Sequence, residues 1–288
     1  MANNKLSIRA VRSDGEIFDY ESDTQKGWHL TKIEGLDFPN LEIFTEDRGF
    51  GNGSIITGKR KEARDIDLKS RCSFTSKSER ERVIGFHNNN YSFDLYINYM
   101  GILRIAKGCE LKSSKCPTDN IYAPLNLTVG YIHPESDLIS NESTNVGFYN
   151  VDPMWHVTRA YTPNGGSLAF GVISQTLNKY IDYTGSENTY ITAKLEMNES
   201  VVGMNITVND KTLKINHSFS VGDILVVDSE WKQVELNGVE MSPNDYNGEV
   251  LPELILTFGD NNISFLDDAG DNSGFSTDLS YTGRYGGL

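Results

Sequence analysis

Apolar and polar residues alternate along much of the chain, and a period of two residues is typical of β-strands with one buried face. The alternation is clearest over 123–132, where Leu127, Val129 and Tyr131 fall on one side. Met100-Gly101 separates two such runs and predicts a tight turn between them. The predicted strands of the first half are 28–33, 54–58, 63–72, 91–99, 101–111 and 123–132.

One segment, 78–87, predicts a helix instead. Ser78 is a suitable N-cap, and Glu79 and Glu81 are favourable near the positive N-terminal end of a helix. Val83, Ile84 and Phe86 supply apolar contacts. A strand-rich layer that carries one helix predicts an α+β unit in the first half of the chain.

The second half predicts an antiparallel β-sandwich. Between residues 134 and 150 the sequence turns to Glu, Ser, Asp and Asn, which predicts an exposed connection and a domain boundary near residue 150. Asn209-Asp210, Asn237-Gly238 and Gly259 are suited to hairpin turns. The predicted strands here are 168–174, 189–196, 204–208, 211–215, 223–228, 233–236, 254–258 and 262–266. Short strands at regular spacing favour a sandwich, so the fold class is mainly β.

The charge of the chain opposes nucleic-acid binding. A net charge of -14 repels phosphates, whereas nucleic-acid affinity comes mainly from clustered Lys and Arg. An acidic wall would suit a channel through which DNA slides without specific binding. No apolar run approaches the ~20 residues of a membrane span, and the first residues lack the pattern of a secretory signal. We therefore expect synthesis in the cytoplasm and no membrane partner.

Catalytic, cofactor and metal sites are not predicted. The three cysteines, Cys72, Cys109 and Cys116, contain no C-x-x-C pair and are expected to be free thiols. The five histidines occur singly, and the acidic run 267–272 lacks the ligand spacing of a calcium loop. The chain also has no G-x-S-x-G nucleophile motif.

The order of several short motifs resembles the siphophage distal tail proteins. In the first half the resemblance lies in the segments 33–36, 49–53, 64–68, 91–105 and 125–134. In the second half it lies in 185–186, 221–228, 234–238, 254–263 and 281–285. The resemblance implies a ring-forming (belt) domain over 1–150 and a galectin-like β-sandwich domain over 151–288.

The resemblance also implies a structural role in a virion. Copies of the chain would form a homo-hexameric ring at the tail tip, between the tail tube protein and the tail hub or tail-associated protein. The ring would support receptor-binding proteins, while DNA passes through it without specific binding. The subunits would be made in the host cytoplasm and act without catalysis or a cofactor.

Five residues are candidate contacts between ring subunits. The glycine loop supplies Arg48, Gly49, Gly51 and Gly53, because glycines allow two backbones to approach closely. Arg64, in the motif that follows, is the fifth candidate. The other interpretation of the loop is an ordinary flexible hairpin; it is not a phosphate-binding loop, since it lacks the Gly-Lys-Ser/Thr ending.

Two alternative functions belong to other classes. A glycan-binding adhesion module would use His217 and Trp231, but Ser218 and Lys232 follow them where sugar-binding galectins have other residues. A hydrolase of cell-wall sugars would need two placed carboxylates, and 40 acidic residues produce such pairs by chance.

Overall fold

β-strands make up most of the fold, which confirms the mainly β prediction. The computed structural model describes residues 6–21, 27–49, 52–73, 77–117, 124–152, 172–175, 178–271 and 273–288. The strands are β1 (Ser7–Arg12), β2 (Ile17–Asp19), β3 (Trp28–Glu34), β4 (Leu41–Asp47), β5 (Ser54–Lys61), β6 (Arg64–Cys72), β7 (Ser92–Tyr99), β8 (Ile102–Lys115), β9 (Asn126–His133), β10 (Leu138–Gly147), β11 (Tyr149–Asp152), β12 (Val172–Gln175), β13 (Asn178–Tyr183), β14 (Thr189–Met197), β15 (Val201–Val208), β16 (Lys211–Phe219), β17 (Ile224–Asp228), β18 (Gln233–Leu236), β19 (Val239–Glu240), β20 (Ile255–Leu256), β21 (Gly259–Leu266) and β22 (Phe275–Tyr285). The helices are α1 (Lys77–Phe86) and a short 3₁₀ helix (Gly248–Glu253). Within these ranges no helix is both long enough and apolar enough to cross a bilayer.

The strands and helices group into two compact units. The first contains Met1–Asn141 together with Arg284–Leu288, and the second contains Glu142–Gly283. We call Arg284–Leu288 the tail segment. The sequence left open which sheet the last residues join, and the structure assigns this segment to the first unit.

The first unit packs α1 against an antiparallel sheet. Along the sheet the strands pair in the order β2-β1-β7-β8-β9-β6-β3. Val83 and Phe86 of α1 are buried, and the Phe86 ring lies 5.6 Å from that of Phe93 on β7. The predicted contact of Ile84 was wrong, because its position on the helix leaves the side chain 46% exposed. The helix therefore buries the face of the sheet that the alternating strands make apolar.

The turn between β7 and β8 forms as the sequence predicts. Met100 and Gly101 have φ angles of 53° and 85°, the left-handed conformations that a tight hairpin turn needs. Phe93, Leu95 and Ile97 alternate along β7 and are all buried in the core of the first unit.

The predicted surface connection over 134–150 is wrong, because most of it is strand β10. Its first residue, Leu138, is fully buried, while Glu142 and Ser143 are exposed. Ile139 and Ser140 pair with Ile105 and Arg104 of β8. Backbone pairing with a neighbouring strand overrides a polar composition, because strand formation depends strongly on context.

The second unit is an antiparallel β-sandwich. One sheet has the order β19-β18-β17-β14-β22, and the other has the order β13-β21-β15-β16. Leu195 and Val227 of the first sheet and Ile206 and Ile263 of the second belong to one buried cluster. Asn209 and Asn237 have φ angles of 56° and 53°, as the predicted hairpin turns require.

Candidate self-assembly surface

Strands β4 and β5 form a two-stranded ribbon. The two strands pair with each other, from Leu41 opposite Lys61 to Asp47 opposite Ser54, and with no other strand that the structure describes. A bulge between Phe44 and Thr45 interrupts the register. Each strand of the ribbon thus keeps one edge that no described strand covers.

Large apolar side chains of the ribbon are exposed on both of its faces. Leu41, Ile43 and Ile56 lie on one face, and Phe44 and Ile55 lie on the other, as the alternation of side chains and the cross-strand pairs require. Their exposed fractions run from 43% for Phe44 to 55% for Ile56. Contiguous exposed apolar residues on a soluble protein mark interaction surfaces.

The glycine loop forms the tip of the ribbon. The Arg48 amide donates to the Gly53 carbonyl at 3.3 Å, and Gly53 has a φ angle of +97°. Arg48, Gly49 and Gly53 are exposed, and Gly51 lies outside the described residues. Three of the candidate contact residues therefore lie together at an accessible tip.

The two strands of the ribbon carry opposite charge. Glu42, Glu46 and Asp47 lie on β4, whereas Lys59, Arg60 and Lys61 lie on β5. The Arg60 Nη2 and Glu42 Oε2 atoms are 2.7 Å apart across the ribbon. One edge of the ribbon is thus acidic and the other is basic.

Arg64 lies inside the fold, not at the tip. Its side chain is 3% exposed, and its guanidinium donates to the carbonyls of Gly35, Asp37, Ser136 and Gly286. Burial lowers the pKa of Arg64, and nearby carboxylates partly oppose that effect. The structure therefore does not bring Arg64 together with Arg48, Gly49 and Gly53.

A buried polar network crosses the core of the first unit. The Tyr20 hydroxyl is 2.6 Å from His87 Nε2 and 2.6 Å from the Tyr131 hydroxyl. His87 Nδ1 donates to the Val83 carbonyl at 2.8 Å, so the neutral ring accepts from Tyr20 at Nε2. Burial lowers the pKa of His87 to about 4, despite the opposing bond to Val83. The network satisfies buried polar groups and is part of the core.

Further histidines and the three cysteines are the other candidates for metal ligands or reactive groups. Burial, followed by the charge of Arg64, lowers the pKa of His133 to about 4. The side chains of Cys72 and Cys109 are buried, and that of Cys116 is half-buried. His156 lies outside the described residues. Among the residues that are described, no three His, Cys, Asp or Glu side chains are grouped to hold a metal ion.

His217 and Trp231, the candidates for glycan binding, lie near opposite ends of β17. The pKa of Asp223 lies below its usual value because of hydrogen bonds, first from Asn237, and the nearby His217 adds to the effect. Trp231 is 77% exposed and its amide donates to Asp228 Oδ1 at 3.0 Å. Asp223 precedes β17 and Asp228 is its last residue, so the two are about 16 Å apart at the usual rise per residue of a strand. The fold does not bring the two side chains into one site.

Sequence reasoning found the glycine loop but missed the apolar residues that flank it. The prediction included a strand at 54–58 and none at 41–47. The alternation of Leu41, Ile43 and Thr45 with acidic residues was the signal for β4. Nothing local in the sequence shows that both faces of the resulting ribbon are uncovered.

Comparison with known proteins agrees with this fold. Residues 184–285 match the family described as the siphovirus-type tail component, C-terminal domain. The SPP1 Dit (gp 19.1) protein, described as a paradigm of the hub adsorption apparatus in phages that infect Gram-positive bacteria, has the same fold, with a TM-score of 0.66 and 11% identity over 97% of this chain and 99% of that chain. A chain of the phage P2 baseplate in its activated conformation with Ca aligns with a TM-score of 0.47 and 7% identity, over 96% of this chain and 98% of that chain.

No curated protein sequence matches this chain. The predicted place in a virion tail agrees with the matched family. The family match and the shared fold confirm the predicted resemblance to siphophage distal tail proteins, and residues 184–285 are similar to the C-terminal domain of siphovirus-type tail components.

Proposed function

We propose that this chain is the subunit of a hexameric ring at the phage tail tip, and that the β4–β5 ribbon makes the contact between neighbouring subunits. The ring joins the tail tube to the tail hub and supports host-adhesion components. The observation that carries the proposal is the ribbon itself, whose apolar side chains are exposed on both faces.

A two-stranded ribbon needs a covering surface to be stable. An isolated pair of strands is marginal in water, and burial of each large apolar side chain is favourable by roughly 1.5–3 kcal/mol. Five such side chains are half exposed here: Leu41, Ile43, Phe44, Ile55 and Ile56. A neighbouring copy that covered one face would supply the missing burial.

The charges of the ribbon favour a head-to-tail contact. The acidic β4 edge of one copy is complementary to the basic β5 edge of the next, and open strand edges can pair by adding strand to strand. A contact between two different edges is heterologous, and repetition of a heterologous contact closes a ring when the rotation between neighbouring copies completes a full turn. The number six comes from the resemblance to distal tail proteins.

The remaining parts of the chain have separate tasks in this proposal. The predicted ring-forming domain, 1–150, contains the ribbon and lines the channel, and the predicted galectin-like domain, 151–288, projects outward to carry adhesion components. With a net charge of -14, the subunits allow DNA to pass without binding it. Contacts between subunits perform this function, and no step of it requires catalysis.

The test is the mass of the purified chain by light scattering over a range of concentration and salt, followed by negative-stain imaging. We expect the wild-type chain to grow toward closed rings of six. Ile56→Asp places a charge on the exposed face of the ribbon and should raise the concentration needed for assembly at least about tenfold, as loss of a central interface residue does.

The matched control is Val221→Asp, which places the same charge at a residue that is 66% exposed in the second unit. This variant should assemble like the wild-type chain. Equal assembly of Ile56→Asp and wild type would exclude the ribbon as the contact, and a wild-type chain that is monomeric at every concentration would contradict autonomous ring formation.

A further inference from the structure

The ribbon is attached to the first unit by two short connections. Residues 35–40 lead into β4, and residues 62–63 lead from β5 into β6. The Glu62 amide donates to the Asn40 carbonyl at 3.0 Å and closes the ladder at the base of the ribbon. The contacts that these two connections make with the first unit therefore determine the direction of the ribbon.

Arg64 binds the backbone of the first connection, residues 35–40. Its Nη1 donates to the carbonyls of Gly35, at 3.1 Å, and Asp37, at 2.5 Å. Its Nε donates to the Ser136 carbonyl at 2.7 Å. A buried guanidinium requires hydrogen-bond partners at most of its donors, and its planar fork binds several carbonyls in fixed directions.

The tail segment supplies the remaining partner of Arg64. Arg64 Nη2 donates to the Gly286 carbonyl at 2.6 Å. The Leu288 amide donates to the Leu36 carbonyl at 3.2 Å, so the tail segment also bonds directly to the connection that precedes the ribbon. A Cβ at Gly287 would lie 3.4 Å from backbone atoms of Leu36, Asp37 and Phe38, which shows how closely the two backbones run.

Side chains fix the tail segment at its other end. The Arg104 guanidinium lies over the Tyr285 ring, 3.5 Å from its centroid, at a distance typical of a cation–π contact. Arg284 Nη1 is 3.8 Å from Glu135 Oε2, next to the Ser136 carbonyl that Arg64 binds.

Lys61 ties the last residue of β5 to the same place. Its Nζ is 2.8 Å from Asp137 Oδ1, one residue after Ser136. Asp137 and Asp37 are also the carboxylates that favour the charged form of Arg64. The connection into β4 and the last residue of β5 are thus both held at a cluster with Arg64 at its centre.

We propose that Arg64 and the tail segment form a clasp that fixes the direction of the β4–β5 ribbon, which makes Arg64 a positioning residue for assembly. The inference rests on the proposed function for its consequence, since the ribbon must be aimed to meet a neighbouring subunit. The existence of the clasp itself does not depend on assembly. Release of the tail segment frees the 35–38 connection and leaves the core of the first unit in place.

The clasp is tested in the monomer by hydrogen exchange, below any concentration at which copies associate. Deletion of residues 286–288 should speed exchange of the Glu62 amide, at the base of the ribbon, about tenfold or more, the change expected for loss of one hydrogen bond to a charged group. Amides of β7, such as that of Leu95, should exchange as in the wild type. Unchanged exchange at Glu62 would overturn the clasp.

Its effect on assembly is tested by light scattering of the same deletion variant. We expect the concentration for half assembly to rise about tenfold. Without the clasp, only a fraction of the molecules has the ribbon in the orientation that can bind a neighbouring subunit. Faster exchange with unchanged assembly would overturn the positioning role. Failure of the proposed function itself has a different signature, since Ile56→Asp would then assemble like the wild type whatever the deletion does.

Two substitutions test the clasp in the full-length chain, so the conclusion does not depend on correct folding of the deletion variant. Arg64→Lys keeps the charge but cannot bridge carbonyls in four directions, and should show the same faster exchange at Glu62. Arg9→Lys is the matched control, because Arg9 makes a bidentate contact to Asp19 at the exposed surface. Normal exchange in Arg64→Lys would also overturn the clasp, and Arg9→Lys should leave Glu62 unaffected.

Discussion

The β4–β5 ribbon and the β7–β8 hairpin of the first unit are built from the same local parts. Both are antiparallel, both contain one register shift, and both have a positive-φ glycine at the turn, Gly53 in the ribbon and Gly101 in the hairpin. They differ in their surroundings. Leu95 on β7 is fully buried under the helix and neighbouring strands, whereas Ile55 on β5 is 52% exposed.

From this difference we infer that the apolar side chains of a strand do not indicate whether the same chain or a second chain buries them. In the hairpin the cover comes from the same chain, so its apolar face contributes to the stability of the monomer. In the ribbon no described part of the chain provides a cover. Under the proposed function a second subunit provides it, so the same kind of residue contributes to assembly instead.

The largest expected difference is between matched truncations in the two elements. Leu95→Ala should lower the free energy of unfolding of the first unit by about 4 kcal/mol, the effect of a cavity in a packed core. Ile55→Ala should change it by less than about 0.5 kcal/mol, as surface substitutions do. Urea unfolding followed by the fluorescence of buried Trp28 measures both. A similar loss in the two variants would mean that the chain itself covers the ribbon.

Acid should weaken the covered hairpin through the core beneath it. The pKa of His87 is about 4 in the fold because the ring is buried, with smaller contributions from Arg82 and Arg12, and the ordinary value is 6.5. The unfolded chain therefore takes up the proton first, and stability falls as the pH drops from about 6.5 toward 4. The difference corresponds to about 3 kcal/mol.

The measurement is urea unfolding at several values of pH between 7 and 4, for the wild type and for His87→Gln. The variant should lose about 3 kcal/mol less than the wild type over this range, because its side chain does not titrate. His133, whose pKa is also about 4, contributes equally to both proteins and cancels in the difference. Identical slopes for the two proteins would show that His87 is not held neutral by the core.

The covered parts of the fold were the more predictable ones. The approximate span of α1 and the β7–β8 turn follow from charge placement and positive-φ residues, which act within a few residues. The predicted N-cap was wrong, because α1 begins at Lys77 and Ser78 lies inside the helix. Strand β10 could not be predicted from its polar composition, because it forms by pairing with β8 and β22, which lie far away in the sequence.

The candidate site was predictable only at its tip. The glycines at 49 and 53 are local signals, and Arg48, Gly49 and Gly53 do lie at a hairpin tip, whereas their contact with a neighbouring subunit stays a prediction. The position of Arg64 depends on Gly286, which lies 222 residues further along the chain. No local pattern encodes that contact, and Arg is rarely buried without partners, so burial of Arg64 could not be predicted from its neighbours in the sequence.

The two turn glycines give the finest test of the comparison. Gly101 and Gly53 have φ angles of +85° and +97°, and a Cβ added to either would meet nothing within 4 Å. Alanine at either position therefore introduces the same local strain, roughly 1–2 kcal/mol, without a steric clash. What differs is whether the strain is transmitted to the cooperative core.

Gly101→Ala should lower the free energy of unfolding of the first unit by about 1 kcal/mol, because the β7–β8 hairpin forms together with the core. Gly53→Ala should leave that free energy unchanged and instead speed hydrogen exchange of the Arg48 amide, which donates to the Gly53 carbonyl. Equal losses of unfolding free energy in the two variants would show that the ribbon unfolds together with the core. The physical reason for assigning its exposed residues to a neighbouring subunit would then be gone. A loss confined to Gly101→Ala would make the ribbon an independent arm, whose apolar faces are then available for assembly.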